Sequence, residues 1–448
     1  MLACSYESPP ARPLHHRDHA TAGCGIGDPS GDASLTENHR DSYWRFIRQE
    51  RTLLLFGLSL TFLSSVGQTF LVSLFVPGFL REFAFSEAEF GVLYAVATLT
   101  SALLLPWFGQ WLDRTSLHHF TWGVVMLLAG SAFLIAAARH VAVLALALTG
   151  LRLAGQGLSS HTALTTMARH YHAARGRALS VSSLGFPLGE GVLPLLLVGS
   201  IGFLGGRATW VVIGAAVLLF GPFLVRLLQR SGVELDPRVA AHPAPAAPAA
   251  GNPDAPAWGR REVLRDPRFW LVLPLKLLPP FWITGLFLYQ TTIAGLRGWS
   301  LPLMASAFLA FALTRVGVTV AAGPAVDWFS ARRLLPVTVL PLGFAMGLLW
   351  LGGGVWVAYA FMTLLGATLG LSGAVHTAFW AELYGTRHLG AIQSMQTALM
   401  VLSTAASPVV VGLVLERGAG LDGLLAAGVV SVVVGALLAL RVVRDDGP

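Results

Sequence analysis

The chain has 448 residues, of which 54% are apolar and only 12% charged. Its mean hydropathy is +0.66. A soluble domain carries charge on about a quarter of its residues, so this composition excludes a water-soluble globular protein. It also removes the nucleic-acid reading that a net charge of +7 would otherwise invite.

Residues 1–45 read as a disordered cytoplasmic tail. They contain no apolar core of a signal peptide. The tail holds both cysteines, Cys4 and Cys24, together with His15, His16 and His19. Their spacing fits no ordinary zinc pattern, so no metal site and no cofactor are expected. Twelve apolar runs follow. The first six cover 52–77, 87–108, 119–138, 141–165, 178–200 and 207–228. The second six cover 268–294, 299–322, 333–351, 354–380, 389–412 and 419–440. Each comes near the roughly 20 residues that a helix needs to cross a bilayer core. The runs are continuous rather than alternating, which speaks against a β-barrel. A helix satisfies its own backbone hydrogen bonds in lipid, and an open strand cannot. The expectation is an all-α membrane protein with two six-helix bundles, 46–228 and 267–442. The intervening 229–266 contains the Pro/Ala-rich stretch 240–253, a linker unable to form a packed core.

Arginine sets the orientation. With the N-terminus in the cytoplasm, twenty arginines fall near cytoplasmic ends and five, Arg81, Arg139, Arg207, Arg297 and Arg417, fall outside. Positive residues stay inside, so both termini are expected in the cytoplasm of a cell with a bacterial-type inner membrane. The two halves also repeat at an offset of 214 residues. Gly109 and Asp113 after span 2 correspond to Gly323 and Asp327 after span 8, and Pro194 to Pro408. Two related bundles around a shared cavity are the architecture of a rocking carrier.

Gly109-x-x-x-Asp113-Arg114 resembles the loop 2–3 signature of the major facilitator superfamily (MFS), and Gly323 to Arg333 is its second copy. Arg152-Leu-Ala-Gly155-Gln156-Gly157 is similar to the superfamily's span 4 motif. Arg175-Gly176-Arg177, followed by Gly185, Gly189 and Pro194, resembles the start of span 5. The resemblance runs from about residue 50 to 442. It implies the MFS fold, twelve transmembrane helices in two pseudo-symmetric bundles, alternating access and no enzymatic activity. It also implies gating loops built from Gly109, Asp113, Arg114, Arg175, Arg177, Gly323, Asp327, Arg332 and Arg333. In related transporters the acid caps a neighbouring helix and pairs with an arginine; the partners expected here are Arg114, Arg175 or Arg177 for Asp113, and Arg332 or Arg333 for Asp327. The chain departs from the signature at Ser116, Leu117 and His118, where Gly and basic residues are usual, and again at Trp328 after the Asp and at Ser330 in place of Gly. The span 4 spacing is one residue off the drug-antiporter form.

Charges inside a span are costly and mark function. Arg152, Glu190, Lys276 and Arg315 are such charges, and none has a charged counterpart at the 214 offset. Arg152 suits a carboxylate through its bidentate fork, or else pairs permanently with Glu190. Glu190 is the candidate proton carrier. Lys276 and Arg315 are candidate substrate cations, although Lys276 also suits snorkelling toward the cytoplasmic interface. Gln156, Tyr289, Gln290, His376 and Gln393 are neutral candidates for the same cavity. Gly155, Gly185 and Gly189 suit close helix packing, and Pro194, Pro274, Pro279 and Pro280 suit kinks in spans 5 and 7.

Three cations against one acid favour a small organic anion, as in bacterial monocarboxylate-like permeases of the superfamily, moved with protons by a monomer in the lipid bilayer. Efflux of amphipathic compounds is the alternative within transport. A non-transporting membrane receptor is the alternative outside it.

Overall fold

The computed structural model describes residues 44–171, 174–233, 258–385, 387–416 and 420–445. The tail's Cys4, His15, His16, His19 and Cys24 and the Pro/Ala stretch 240–253 lie outside them. The chain divides into a leading unit, Met1–Gln49, whose described residues 44–49 are helical, and a helical body from Glu50 onward.

Among the described residues, eleven helices are long and apolar enough to cross a membrane, and a bent pair supplies a twelfth span. The bent pair is α1, Arg51–Gly67 with Thr69–Phe83. Then come α2 (Glu87–Asp113), α3 (Leu117–Ala137), α4 (Val141–His170), α5 (Arg175–Leu204) and α6 (Gly206–Ser231). The second set is α7 (Pro267–Leu288), α8 (Leu301–Phe329), α9 (Ala331–Leu351), α10 (Val355–Tyr384), α11 (Leu389–Glu416) and α12 (Gly420–Val443). A helix that is apolar all round suits lipid on one side and neighbouring helices on the other. From α2 to α6, every helix begins 214 residues before its counterpart from α8 to α12, as Glu87 does before Leu301.

Packing repeats as well. Helix α3 lies on α6 as α9 lies on α12, and α2 lies on α4 as α8 lies on α10. The halves meet where α2 packs on α11 and α5 on α8. The structure is therefore two pseudo-symmetric six-helix bundles.

Local chemistry explains several helix starts. Ser86 caps α2 by accepting from the Glu89 amide at 3.2 Å, and the Glu89 carboxylate accepts from the Ser86 amide at 2.8 Å. This reciprocal box satisfies two amides that a helix start leaves open. Ser300, the matching residue, caps α8.

Pro194 stays within α5, and Pro274, Pro279 and Pro280 stay within α7. The one break above 40° among the described residues is the 46° bend in α1, at Gln68, where the backbone turns extended. There α1 touches α4. A Cβ on Gly67 would sit 2.4 Å from the Leu151 carbonyl oxygen, and one on Gly155 2.6 Å from the Gly67 amide. Only glycine permits that approach. Beside this contact α4 widens into a π-helical stretch, Arg152–Ser159, a distortion common at functional sites.

Candidate functional site

A cavity of about 380 Å³ lies between the bundles at mid-span. The first half contributes Gln68 and Thr69 from the α1 break, Arg152, Gln156 and Ser160 from α4, and Glu190 from α5. The second half contributes Ile283, Thr284 and Phe287 from α7, Arg315 from α8, Leu369 from α10, and Met400 and Thr404 from α11.

Arg152 is 3% exposed. The π-helical stretch of α4 starts at this residue and brings it against α1 and α2. Its Nη1 donates to the Tyr94 hydroxyl at 2.5 Å, with longer contacts to Thr69 Oγ1 at 3.4 Å and the Gly67 carbonyl at 3.5 Å. The guanidinium also lies 4.8 Å from the Tyr94 ring centre. Tyr94 in turn donates to Thr69 at 2.9 Å. The cation is thus braced without a carboxylate. Its Nε, buried, has no partner among the described residues.

Glu190 does not pair with Arg152. It forms an ion pair with Arg315 from the opposite bundle. This pair spans the α5–α8 interface, where Gly191 lets α5 approach Ala312. The second Glu190 oxygen is buried and without a partner among the described residues. With Arg152 and Arg315 cationic and Glu190 anionic, the cavity holds a net charge of +1 from its ionisable lining.

The cavity therefore contains Arg152, Gln156, Glu190 and Arg315 of the residues expected there. Five others lie elsewhere. Lys276 is sealed between α7 and α10, with its Nζ 2.7 Å from the His376 carbonyl and 3.7 Å from the Trp380 ring centre. It therefore does not snorkel to an interface. His376 is buried behind it, 3.4 Å from Thr338. Gln393 lies near the start of α11, away from the cavity lining.

Tyr289 and Gln290 close one end of the molecule. The Tyr289 hydroxyl lies within donating distance of two carbonyls, Glu87 at 2.7 Å and Pro408 at 2.8 Å. Gln290 donates to the Phe70 carbonyl at 3.0 Å and to Ser73 at 2.5 Å. Glu416, which the sequence reading did not single out, accepts from the Ala88 amide at 2.6 Å. These bonds join α7 and α11 to α1 and α2. At the other end, His161, Thr377, Ser394 and Thr397 are exposed, so the cavity opens toward the Asp113 end.

The signature loops also differ from expectation. Asp113 pairs with Arg169 of its own half at 2.6 Å, a partner that the sequence reading did not name. Arg114 and Arg175 are exposed. Asp327 and Arg333 line a polar groove with Glu382. Glu382, not Asp327, caps the next helix, its carboxylate accepting from the Ala331 amide at 2.8 Å and the Arg332 amide at 3.1 Å. Gly109 packs toward His161, whereas Gly323 faces open space.

No curated protein sequence matches the chain. Its fold is similar to a bacterial homologue of the human lysosomal transporter Spinster in an inward-facing, occupied conformation. That similarity has a TM-score of 0.64 and 17% identity over 90% of this chain and 97% of the other. An inward-facing, unoccupied structure of such a homologue aligns with a TM-score of 0.61 and 18% identity, over 88% of this chain and 95% of the other. At these identities the likeness is one of fold. The sequence profile of the Major Facilitator Superfamily matches residues 57–408, and with the twelve spans and the paired bundles around a central cavity it shows that the chain is a membrane transporter belonging to that superfamily.

Proposed function

We propose that this transporter carries a small organic anion, a monocarboxylate in the first instance, together with a proton. The arginine distribution supports an inner-membrane location with both termini in the cytoplasm and the cavity open to the cytoplasm in this structure. The Asp113, Arg114, Arg175, Arg177, Asp327, Arg332 and Arg333 loops then act as the cytoplasmic gate, and the bundles 46–228 and 267–442 as the rocking bodies. A monomer suffices for the cycle, because the cavity is built from one chain.

The observation that carries the proposal is the Glu190–Arg315 pair across the bundle interface, beside the braced Arg152. Protonating Glu190 removes the carboxylate from Arg315. Two guanidinium groups are then available to a carboxylate, which each can hold through paired N–H donors. One proton plus one monoanion leaves the net cavity charge unchanged. The loaded and empty cavities then pay a similar cost for holding charge within the membrane. Coupling at 1:1 makes the cycle electroneutral.

Uptake into proteoliposomes tests this. A radiolabelled monocarboxylate should accumulate with an inward proton gradient and ignore an imposed membrane potential. Arg152→Ala should reduce uptake at least tenfold. Glu190→Gln should abolish the response to the gradient. Accumulation indifferent to both substitutions would sink the proposal. The apolar wall on the second half supports a second reading, export of amphipathic compounds. Its sign is a resistance phenotype that survives loss of Arg152 and Arg315.

A further inference from the structure

We infer that the transported anion is amphipathic, with one carboxylate head on Arg152 and an apolar tail of several carbons laid against Ile283, Phe287, Leu369 and Met400. The inference rests on the anion reading above and goes beyond it to the shape and orientation of the solute.

The two halves line the cavity unequally. Six of the eight residues from the first half are polar or charged, all but Phe70 and Phe186. Only three of the eight from the second half are, Thr284, Arg315 and Thr404. A solute in contact with both halves meets a hydrogen-bonding wall and an apolar wall. A sugar would leave several hydroxyls unpaired against the apolar part of that wall, which is costly away from water.

The head position follows from Arg152. Its Nη1 is committed to Tyr94, while its buried Nε has no partner among the described residues. An orphaned, buried donor of a charged group carries a penalty that an acceptor relieves. A carboxylate can engage the side of a guanidinium through two parallel bonds. A volume of about 380 Å³ lies near the lower limit of ligand pockets, which favours a short chain over a multi-ring solute. Met400 is 36% exposed, and its flexible thioether can follow tails of differing length.

Titration calorimetry of the purified protein with sodium acetate, propionate, butyrate, pentanoate and hexanoate tests the inference. Kd should fall by roughly fourfold per added methylene until the wall is covered. Met400→Gln and Ile283→Thr should each reduce the increment per methylene. Arg152→Ala should weaken every member by a common factor. A series that binds with equal affinities overturns this inference and leaves the anion reading standing. A steep series whose increment survives both wall substitutions also overturns it, since the tail then lies elsewhere. Failure of every carboxylate to bind a protein with intact thermal unfolding overturns the anion reading and this inference together.

Discussion

Arg152 and Lys276 show how two buried cations with the same sequence signature come to different uses. Both lie in spans, and neither has a charged counterpart in the repeat. Arg152 faces the cavity with an unused donor. The ammonium of Lys276 is spent on a carbonyl and the faces of Phe379 and Trp380. That difference was not legible in the sequence, because it depends on which side of each helix meets the opposite bundle. A buried cation without a carboxylate contributes less than a well-packed apolar chain of similar length. Lys276→Met is therefore expected to hold or raise the melting temperature and to leave KM for uptake within about twofold, by the modest cost of volume-conserving swaps. A tenfold rise in KM would return Lys276 to the binding site. The Glu190–Arg315 pair was half legible. Both residues stood out as unmatched charges, but their partnership bridges 125 positions and needs the α5–α8 contact to be known.

At the scale of elements, the 214-residue period shows what was legible and what was not. The runs foretold the spans and the repeat their correspondence between the halves, because a span's apolar run reports its passage through lipid. The α1 break was not foretold, because no proline marks it; it falls where Gly67 meets Gly155 across the helix contact. The signal that could have found more was the matched pair Ser86 and Ser300, each heading a span. A second matched pair has diverged. Ser116 caps α3 with its own side chain. Ser330, before α9, has φ 63° and ψ 150°, a region that glycine alone occupies without strain. There the cap passes to Glu382 of α10. The signature that the chain resembles usually has Gly at this position. Ser330→Gly should therefore stabilise the protein by roughly 1–2 kcal/mol through relief of strain, seen as a higher melting temperature in detergent. Glu382→Ala should destabilise it by about 1 kcal/mol through loss of the cap. A lower melting temperature for Ser330→Gly would refute the strain assignment.

The whole molecule is held in one state by bonds gathered at one end. Tyr289, Gln290 and Glu416 reach from the second bundle to backbone groups and to Ser73 of the first, and α2 crosses α11 closely enough that a Cβ on Gly412 would lie 2.9 Å from the Glu87 carbonyl oxygen. The Tyr289 and Gln290 bonds go to neutral acceptors, the Glu87, Pro408 and Phe70 carbonyls and the Ser73 hydroxyl, so that part of the latch should hold over a wide range of salt concentration, unlike a screened surface ion pair. Each such bond contributes about 1 kcal/mol net, and two states of a carrier differ by only a few kcal/mol. Removing two bonds should thus shift the populations by more than tenfold. The measurement is a pair of spin-label distances, Val141 to Val355 at the latched end and Gly176 to Gly390 at the open end, all four exposed and each pair 214 residues apart. Tyr289→Phe with Gln290→Leu should lengthen the first distance and shorten the second. Gly412→Val, whose Cβ would lie 2.6 Å from the Tyr289 hydroxyl and 2.9 Å from the Glu87 carbonyl oxygen, wedges the same crossing and should do likewise. Opposite changes at the two ends are the requirement of alternating access. A latch variant that loosens one end while the other stays fixed would show that the bundles do not rock as rigid bodies.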